Sequence, residues 1–442
     1  MKAGPKIDKA EYARRRRELM ELMEPESIAI LPASEVQIRN NGVERRYRQH
    51  SDFHYLTGFD ESDSVFVLIP GREYGEAILF CRERAHDHER WHGSITGPER
   101  AAELYGIDDA FPIDDIDDIL PGLIEGRSRL YYAMGTHPRF DARILSWVNS
   151  IAMDNREGTE PPGEFIQLGQ YLHELRLHKS AKEIDVLRHA ARISTAAHIQ
   201  VMENLTPGMM EYEVEAELQY QFSKRGARHP AYPSIVGGGS NACVLHYIDN
   251  DKVLEDGDLV LIDAGGEYEY YASDVTRTLP VSGKFTDEQA ALYEIVLAAQ
   301  LAAIEQVVPG NHWNQPHEAA VMELTNGLKE VGLLEGDVEE LLEIGAYNQF
   351  YMHRTGHWLG LDVHDVGEYK VGGQWRVFEQ GMVTTVEPGL YIPEDAENVP
   401  EAYRGIGIRI EDNVAVTRNG HDVLTDDIPK TIAEIEQTMS SA

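Results

Sequence analysis

The first third of the chain alternates short apolar runs with segments of helical spacing. Strands are predicted at 27–33, 64–70 and 76–81, where apolar residues cluster between turn-forming pairs. The N-terminal segment has apolar residues at helical spacing and predicts a surface helix, with the arginines of 14–17 on its solvated face. This part of the chain is therefore expected to mix strands and helices.

The remainder of the chain has longer helical periods. Helices are predicted at 180–204, 210–225 and 288–308, and they alternate with paired strands. Ser180 and Glu183 have the spacing of a capping box, which predicts that the first of these helices begins there.

A domain boundary is expected just before the first long helix. The chain is too long for one ordinary hydrophobic core, so two domains are expected. Turn-forming residues at 155–163 predict a loop. We place the boundary near residue 176, which gives an N-terminal domain at 1–176 and a C-terminal domain at 177–442.

Composition and charge narrow the classes of partner. The 442 residues include 76 acidic and 40 basic side chains, a formal net charge of −36. Such a surface repels nucleic acid and anionic lipid, so neither is an expected partner. The longest apolar stretch contains Glu294 and Glu305, so we expect no membrane span, and a cytoplasmic protein is expected. Cys81 and Cys243 lie far apart and predict no disulfide framework.

Two aspartates lie in the most informative strand pattern, residues 258–283. This stretch predicts two antiparallel strands joined by a turn around Gly265 and Gly266. Asp263 ends the first strand, and Asp274 is expected on the second. Facing residues of antiparallel strands have Cβ atoms about 5 Å apart. Carboxylates that close repel each other unless they are protonated or bridged by a cation, which favours a metal site.

Histidines and glutamates follow in later motifs. His353, His357 and His364 lie close together in sequence, and His357 stands in a Gly-His-Trp context that suits a partly enclosed imidazole. Glu387 ends a β-branched strand before a Pro-Gly turn, and Glu411 is expected inside a strand whose alternate isoleucines face one side. The opposite face of that strand would then carry polar residues, which predicts a polar site within the sheet.

Two aspartates, one histidine and two glutamates make an oxygen-rich ligand set. Such a set suits hard or borderline divalent cations, Mn²⁺ before Zn²⁺. Four carboxylates carry enough charge for two divalent ions about 3.5–4 Å apart, and two ions that share a hydroxide support hydrolysis. The residues therefore predict a dinuclear hydrolase.

At these residues the sequence resembles the prolidase and aminopeptidase P family, whose "pita-bread" fold is shared with methionine aminopeptidase and creatinase. The resemblance rests on the motifs LIDAG, SDVTRT, HWLGLDVHD, VEPGLY and GIRIED, and in the first half on RYRQHSDFHYLTGFDE and YGIDDAFPI. It implies a smaller N-terminal creatinase-like α/β domain followed by a C-terminal pita-bread metallopeptidase domain. It also implies release of the first residue from peptides with proline in the second position.

The resemblance implies a role for each matching metal ligand. Asp263 would bind one metal ion, while Asp274 and Glu411 would bridge both ions. His357 and Glu387 would bind the other ion. The two ions, Mn²⁺ in preference to Co²⁺ or Zn²⁺, would share the attacking hydroxide, and Glu387 would also act as general acid and base.

Further residues are implied to contact or orient a peptide substrate. His246 resembles the histidine near the leaving group, and His353 and His364 resemble those that donate hydrogen bonds to the substrate carbonyl and the tetrahedral intermediate. Arg409 would orient a metal ligand, and Tyr391 would supply a further hydroxyl on the substrate side.

One tryptophan bears on the oligomeric state. Trp91 matches a residue that, in tetramers of the family, reaches into a neighbouring subunit's pocket, although an ordinary core aromatic is the alternative. A homotetramer is therefore expected, with a dimer as the alternative. Arg46, His54 and Arg354 are not part of the family pattern.

Three other functions stay open at this point. A prolidase would use the same metal site on Xaa-Pro dipeptides, and a methionine aminopeptidase would lack the large N-terminal domain. A non-catalytic binding protein on the same fold would have lost metal ligands, whereas here all of them are present.

Overall fold

The structure is a computed structural model that describes residues 4–85, 89–91, 93–153, 158 and 160–441. The chain divides into two compact units, one of Ile7–Arg176 and one of Leu177–Ala442 with Met1–Lys6. The predicted loop at 155–163 lies partly outside the described residues, and its described part contains no helix or strand.

The first unit is built on one mixed sheet. Its helices are α1 Lys9–Leu22, α2 Ser51–Thr57, α3 Pro98–Tyr105, α4 Ile116–Ile124, α5 Pro138–Met153 and α6 Gly169–Leu177. Its strands are β1 Ser27–Pro32, β2 Ile38–Asn40, β3 Val43–Glu44, β4 Val65–Leu68, β5 Ala77–Cys81, β6 Asp109–Pro112, β7 Arg129–Tyr131 and β8 Glu164–Ile166. Six of the strands form a sheet in the order β6-β5-β4-β1-β7-β8.

One large buried cluster of the first unit lies on one face of its sheet, whose central strands are buried on both faces. Alternate residues of β1, Ile28 and Ile30, belong to a buried cluster with residues of β4 and β5. Side chains of α4 and α5, among them Leu120 and Trp147, complete the same cluster. The three strands predicted from apolar runs are thereby confirmed as strands of one sheet.

Two of the four arginines at 14–17 of the first helix are buried, contrary to expectation, whereas Arg17 is exposed as predicted. Arg15 and Arg16 are 0% and 4% exposed. Their guanidinium groups donate to the carbonyl oxygens of Tyr55 and Leu56 at 3.0 and 2.9 Å. These carbonyls belong to the last turn of α2, where helix geometry leaves acceptors without an intrahelical donor. Helical spacing alone could not reveal that the carbonyl oxygens at the end of α2 need these donors.

The second unit contains the long helices and several small sheets. Its helices are α7 Ala181–Asn204, α8 Glu211–Arg225, α9 Asp287–Ile304, α10 Gln315–Glu330, α11 Val338–Glu343 and α12 Ile432–Ser440. The strands of its first half are β9 His229–Pro230, β10 Ile235–Gly238, β11 Leu259–Asp263, β12 Gly266–Tyr268, β13 Tyr271–Ala272 and β14 Thr276–Pro280. The strands of its second half are β15 Lys370–Val371, β16 Gln374–Trp375, β17 Val383–Val386, β18 Gly389–Ile392, β19 Ile406–Arg409, β20 Asp412–Val416 and β21 His421–Val423.

Two antiparallel sheets of this unit position the residues of the candidate site. One has the strand order β10-β11-β14 and the other β17-β20-β21, while β18 pairs with β19. The capping box that begins α7 is confirmed, because Ser180 accepts from the backbone of Glu183 and the Glu183 side chain accepts in return. In the part of the chain that the structure describes, no helix is long and apolar enough to cross a membrane.

The predicted turn at Gly265 and Gly266 is wrong. The chain instead inserts the hairpin β12–β13 between β11 and β14, and the turn falls at Glu269 and Tyr270, which both have positive φ. Gly265 serves close packing, since a Cβ there would lie 1.6 Å from the carbonyl oxygen of Ser273. Asp274 accordingly precedes β14, and Glu411 lies between β19 and β20, so neither is inside a strand as expected.

Candidate metal centre

Strand ends bring the predicted ligands to one cavity. Asp263 is the last residue of β11, Asp274 precedes β14, and Glu387 follows β17. Glu411 lies at the junction of β19 and β20, and His357 comes from an irregular segment. All five line a cavity of about 490 Å³.

The ligand atoms are close enough to share cations. His357 Nε2 lies 3.3 Å from Asp274 Oδ2 and 3.7 Å from Glu387 Oε1. One ligand atom each from Asp274, His357 and Glu411 falls within a mutual distance of 4.8 Å. Such spacing fits three donors around one divalent ion.

The orientation of His357 favours a ligand role. Its Nδ1 donates to the carbonyl oxygen of Trp358 at 3.0 Å. That hydrogen bond places the proton on Nδ1 and turns Nε2 toward the carboxylates, as in metal-binding histidines. Its ring also lies edge-on to His364, with ring centroids 4.3 Å apart.

Asp263 is held by two donors. Arg409 Nη2 donates to Asp263 Oδ2, and Tyr232 Oη donates to Oδ1, each at 2.6 Å. Arg409 also donates from Nη1 to the Tyr391 hydroxyl at 3.1 Å and from Nε to Thr276 Oγ1 at 3.2 Å. Two charged or polar partners thus fix the carboxylate plane of Asp263 while leaving lone pairs on both oxygens.

The electrostatics of the cluster show an excess of buried negative charge. Burial, with the neighbouring Asp274, raises the pKa of Asp263 and raises that of Glu411 well above its usual range. Burial also raises the pKa of Glu387 to about 7, against the opposing charges of His357 and Arg409. These raised pKa values show that the protein alone does not balance the negative charge of these carboxyls, which favours a bound cation.

The donor set therefore fits divalent metal ions. Four carboxylates and one imidazole meet in a buried site, and the side chains of Arg409 and His357 are too few to balance them. The pKa of His357 makes the same point, because burial would lower it, yet the hydrogen bond to Asp274 and the charges of Asp274 and Glu387 raise it to about 9. A proton here occupies a position suited to a cation.

The predicted substrate residues fall into two groups. His246 and His364 are exposed and line the cavity. His353 also lines it, but its Nδ1 donates to the carbonyl oxygen of Arg354 at 2.7 Å, and its Nε2 accepts from the Tyr391 hydroxyl at 2.9 Å. Burial and the charge of Arg409 lower the pKa of His353 to about 4, so its ring is neutral near pH 7.

Two predicted residues are not among those that line the cavity. Tyr391 is 1% exposed and packs behind Arg409 and His353. Trp91 is 85% exposed in the first unit, so it is not an ordinary core aromatic of this chain.

Several residues of the site escaped the sequence analysis. Tyr232 bonds Asp263, Thr276 Oγ1 donates to Glu411 Oε2 at 2.7 Å, and the Asn413 side chain accepts from the Asp274 backbone at 3.1 Å. Their partners are 31 to 139 residues away in sequence. Only Thr276 carried a signal, because it lies within the SDVTRT motif.

Comparison with known proteins defines the class. The profile of metallopeptidase family M24 matches residues 185–418, and that of the aminopeptidase P N-terminal domain matches residues 12–131. The chain belongs to metallopeptidase family M24. The resemblance, the enzyme class and the two-domain fold predicted from the motifs are confirmed.

Named relatives are more specific. The Xaa-Pro aminopeptidase of Escherichia coli is 44% identical over 437 residues, 99% of each chain. A solved structure of a Pseudomonas aeruginosa aminopeptidase has a TM-score of 0.98 at 59% identity and covers 99% of each chain. Aminopeptidase P from E. coli with the inhibitor Pro-Leu has a TM-score of 0.96 at 43% identity, again over 99% of each chain.

Proposed function

We propose that this chain is a dinuclear metal-dependent aminopeptidase that releases the first residue from peptides with proline in the second position. The observation that carries the proposal is the meeting of four buried carboxylates and an oriented imidazole in one cavity, with carboxyl pKa values raised by burial and mutual repulsion. The full-length relatives named Xaa-Pro aminopeptidase support the choice of substrate.

The ligands divide between two ions in this proposal. Asp263 would hold one ion, Asp274 and Glu411 both, and His357 with Glu387 the other. The oxygen-rich set favours Mn²⁺ over Zn²⁺. When bound, the ions would lower the pKa of a shared water to give the attacking hydroxide, and would stabilise negative charge on the peptide carbonyl.

The residues of the chain carry the remaining steps. Arg409 and Tyr232 hold the carboxylate of Asp263, and Thr276 holds that of Glu411. Burial raises the pKa of Glu387 to about 7, and we propose that it moves a proton from the attacking water to the proline nitrogen. That transfer makes the secondary amine a competent leaving group.

The exposed histidines are the best donors to substrate. His246 and His364 line the cavity and are free to turn toward a peptide carbonyl. His353 could donate to substrate only by giving up its bond to the Arg354 carbonyl. We therefore assign His246 and His364 to the substrate, and His353 with Tyr391 to the support of Arg409.

The assembly and its location are further proposals. We propose a homotetramer in which Trp91, exposed in this chain, reaches a neighbouring subunit's pocket. A cytoplasmic location stays a prediction from the sequence.

The test is an assay of the metal-stripped protein with Mn²⁺, Co²⁺ or Zn²⁺ restored. Substrates are an Xaa-Pro-Yaa peptide, an Xaa-Pro dipeptide and Met-Ala-Ser. Metal-restored cleavage confined to the longer Xaa-Pro peptide is expected. Preference for the dipeptide would make the protein a prolidase, cleavage of Met-Ala-Ser would make it a methionine aminopeptidase, and no hydrolysis with metal bound would make it a binding protein. The variant Glu387→Gln should lose turnover, and near-wild-type turnover would remove its assigned proton transfer.

A further inference from the structure

One cation on the cavity wall, Arg354, has no acidic partner among the residues that the structure describes. Arg354 lines the same cavity as His353 and His357 and is itself exposed. Among the described residues no carboxylate lies within 4.0 Å of its guanidinium, although the chain has 76 acidic side chains. The other arginine of the cavity, Arg409, is fully engaged by Asp263, Tyr391 and Thr276.

Neutral groups hold the Arg354 side chain in place. Its Nη1 donates to the side-chain oxygen of Asn314 at 2.8 Å. Its guanidinium carbon lies 5.3 Å from the centre of the Trp375 ring, within cation–π range. Lys370 lies over the same ring at 4.1 Å. These contacts restrain the guanidinium without neutralising it, so its remaining N–H donors and its charge stay available to a ligand.

The cavity wall thus carries a positive charge at Arg354, which attracts a negative group. An unmodified short peptide carries such a group at its C-terminus. The cavity volume of about 490 Å³ also lies in the range for small-ligand sites, about 300–1,000 Å³.

We propose that Arg354 is a specificity residue that binds a carboxylate on the leaving side of the substrate, and so favours Xaa-Pro-Yaa tripeptides with a free C-terminus. This inference rests on the proposed aminopeptidase function. A planar guanidinium suits a carboxylate through two parallel hydrogen bonds. The same chemistry could serve a side-chain carboxylate of the third residue, which the experiment separates.

The experiment compares Ala-Pro-Ala, its C-terminal amide, and Ala-Pro-Asp amide with the Mn²⁺-loaded full-length enzyme. For the wild type we expect KM to be about five- to tenfold lower for the free acid than for the amide, with similar kcat, since an exposed ion pair contributes about 1 kcal/mol. If KM is lower for Ala-Pro-Asp amide than for Ala-Pro-Ala amide, the site also accepts side-chain carboxylates. If the two amides have equal KM values, the site is restricted to the chain terminus, and both results support a carboxylate site.

Variants locate the effect. In Arg354→Gln the ratio of the two KM values should fall to about 1, whereas Arg354→Lys should keep part of it through its charge. Lys370→Gln removes a cation from the same indole, and the ratio should persist. Equal KM values for acid and amide in the wild type, or a ratio unchanged in Arg354→Gln, would overturn the inference. Failure to cleave any of these peptides would instead overturn the proposed aminopeptidase function.

Discussion

Two consecutive acids, Glu411 and Asp412, are buried on opposite sides of one chain segment. Their exposed fractions are 1% and 0%. Asp412 accepts from Arg277 Nη2 at 2.8 Å, from Lys430 Nζ at 2.9 Å and from Gln300 Nε2 at 2.7 Å. Burial alone would raise its pKa, but Arg277 and Lys430 bring the pKa below its usual range.

Glu411 has the opposite surroundings. Its hydrogen-bond donor in the described structure is a neutral hydroxyl, that of Thr276. Burial and the charges of Asp274, Glu387 and Asp263 raise its pKa well above the usual range, and Arg409 only partly opposes them. A buried acid with cationic partners has a structural role, whereas a buried acid among other acids favours the binding of a cation.

The largest expected effect comes from Glu411→Gln. We expect kcat/KM to fall by a factor on the order of 10³ or more, about 4 kcal/mol of transition-state stabilisation, because the variant would lose the ligand that both ions share in the proposed centre. Bound metal, measured by elemental analysis after dialysis, should fall as well. The metal-free melting temperature should stay level or rise, because a repelling charge is removed.

The matched control is Glu401→Gln, an exposed glutamate of the same unit. It should leave activity, metal content and melting temperature at wild-type values. If Glu411→Gln bound as much metal as the wild type, Glu411 would not be a metal ligand, and its role would be structural like that of Asp412.

The second effect is on stability and comes from Asp412→Asn. The substitution leaves Arg277, which is 0% exposed, without its anionic partner. We expect a loss of about 3 kcal/mol in the free energy of unfolding, since breaking a buried ion pair strands a charge. Calorimetry of wild type and variant would measure it, and the folded variant should still bind metal at wild-type stoichiometry. An unchanged melting temperature would show that the Arg277 network is not needed for the fold.

The comparison of Glu411 with Asp412 also shows what could be predicted from the sequence. The start of α7 followed from Ser180 and Glu183, because a capping box is a local interaction. The candidate ligands could be named because carboxylates at the ends of apolar strands are costly without a partner. All of them line one cavity in the structure.

Non-local contacts account for what was missed. Arg277 meets Asp412 across 135 residues, and Arg15 meets the Tyr55 carbonyl across 40. No periodicity reports such pairs, so the burial of Arg15 and the charge balance at Asp412 could not be predicted. The misplaced turn at Gly265 has a similar cause, because the glycine is required by the carbonyl of Ser273 and not by its own φ.

The smallest expected effect is a pH dependence of the metal-free protein. The pKa of Glu387 rises from 4.5 to about 7 on folding, so folding favours its protonated form. That contribution to stability is fully present below about pH 4.5 and is lost as the pH rises through 7. His357 acts in the same direction, since its pKa is raised to about 9 and its contribution is lost as the pH rises through that value. Asp412 acts in the opposite sense, because its lowered pKa gives stability that is lost only in acid.

The melting temperature of the chelated wild type should therefore fall between about pH 5.5 and 8 relative to that of Glu387→Gln, by a few degrees at about 2–4 °C per kcal/mol. Saturating Mn²⁺ should abolish the fall, because the cation then replaces the proton. Parallel curves for wild type and variant without metal would mean that Glu387, like Asp412, is already balanced by the protein.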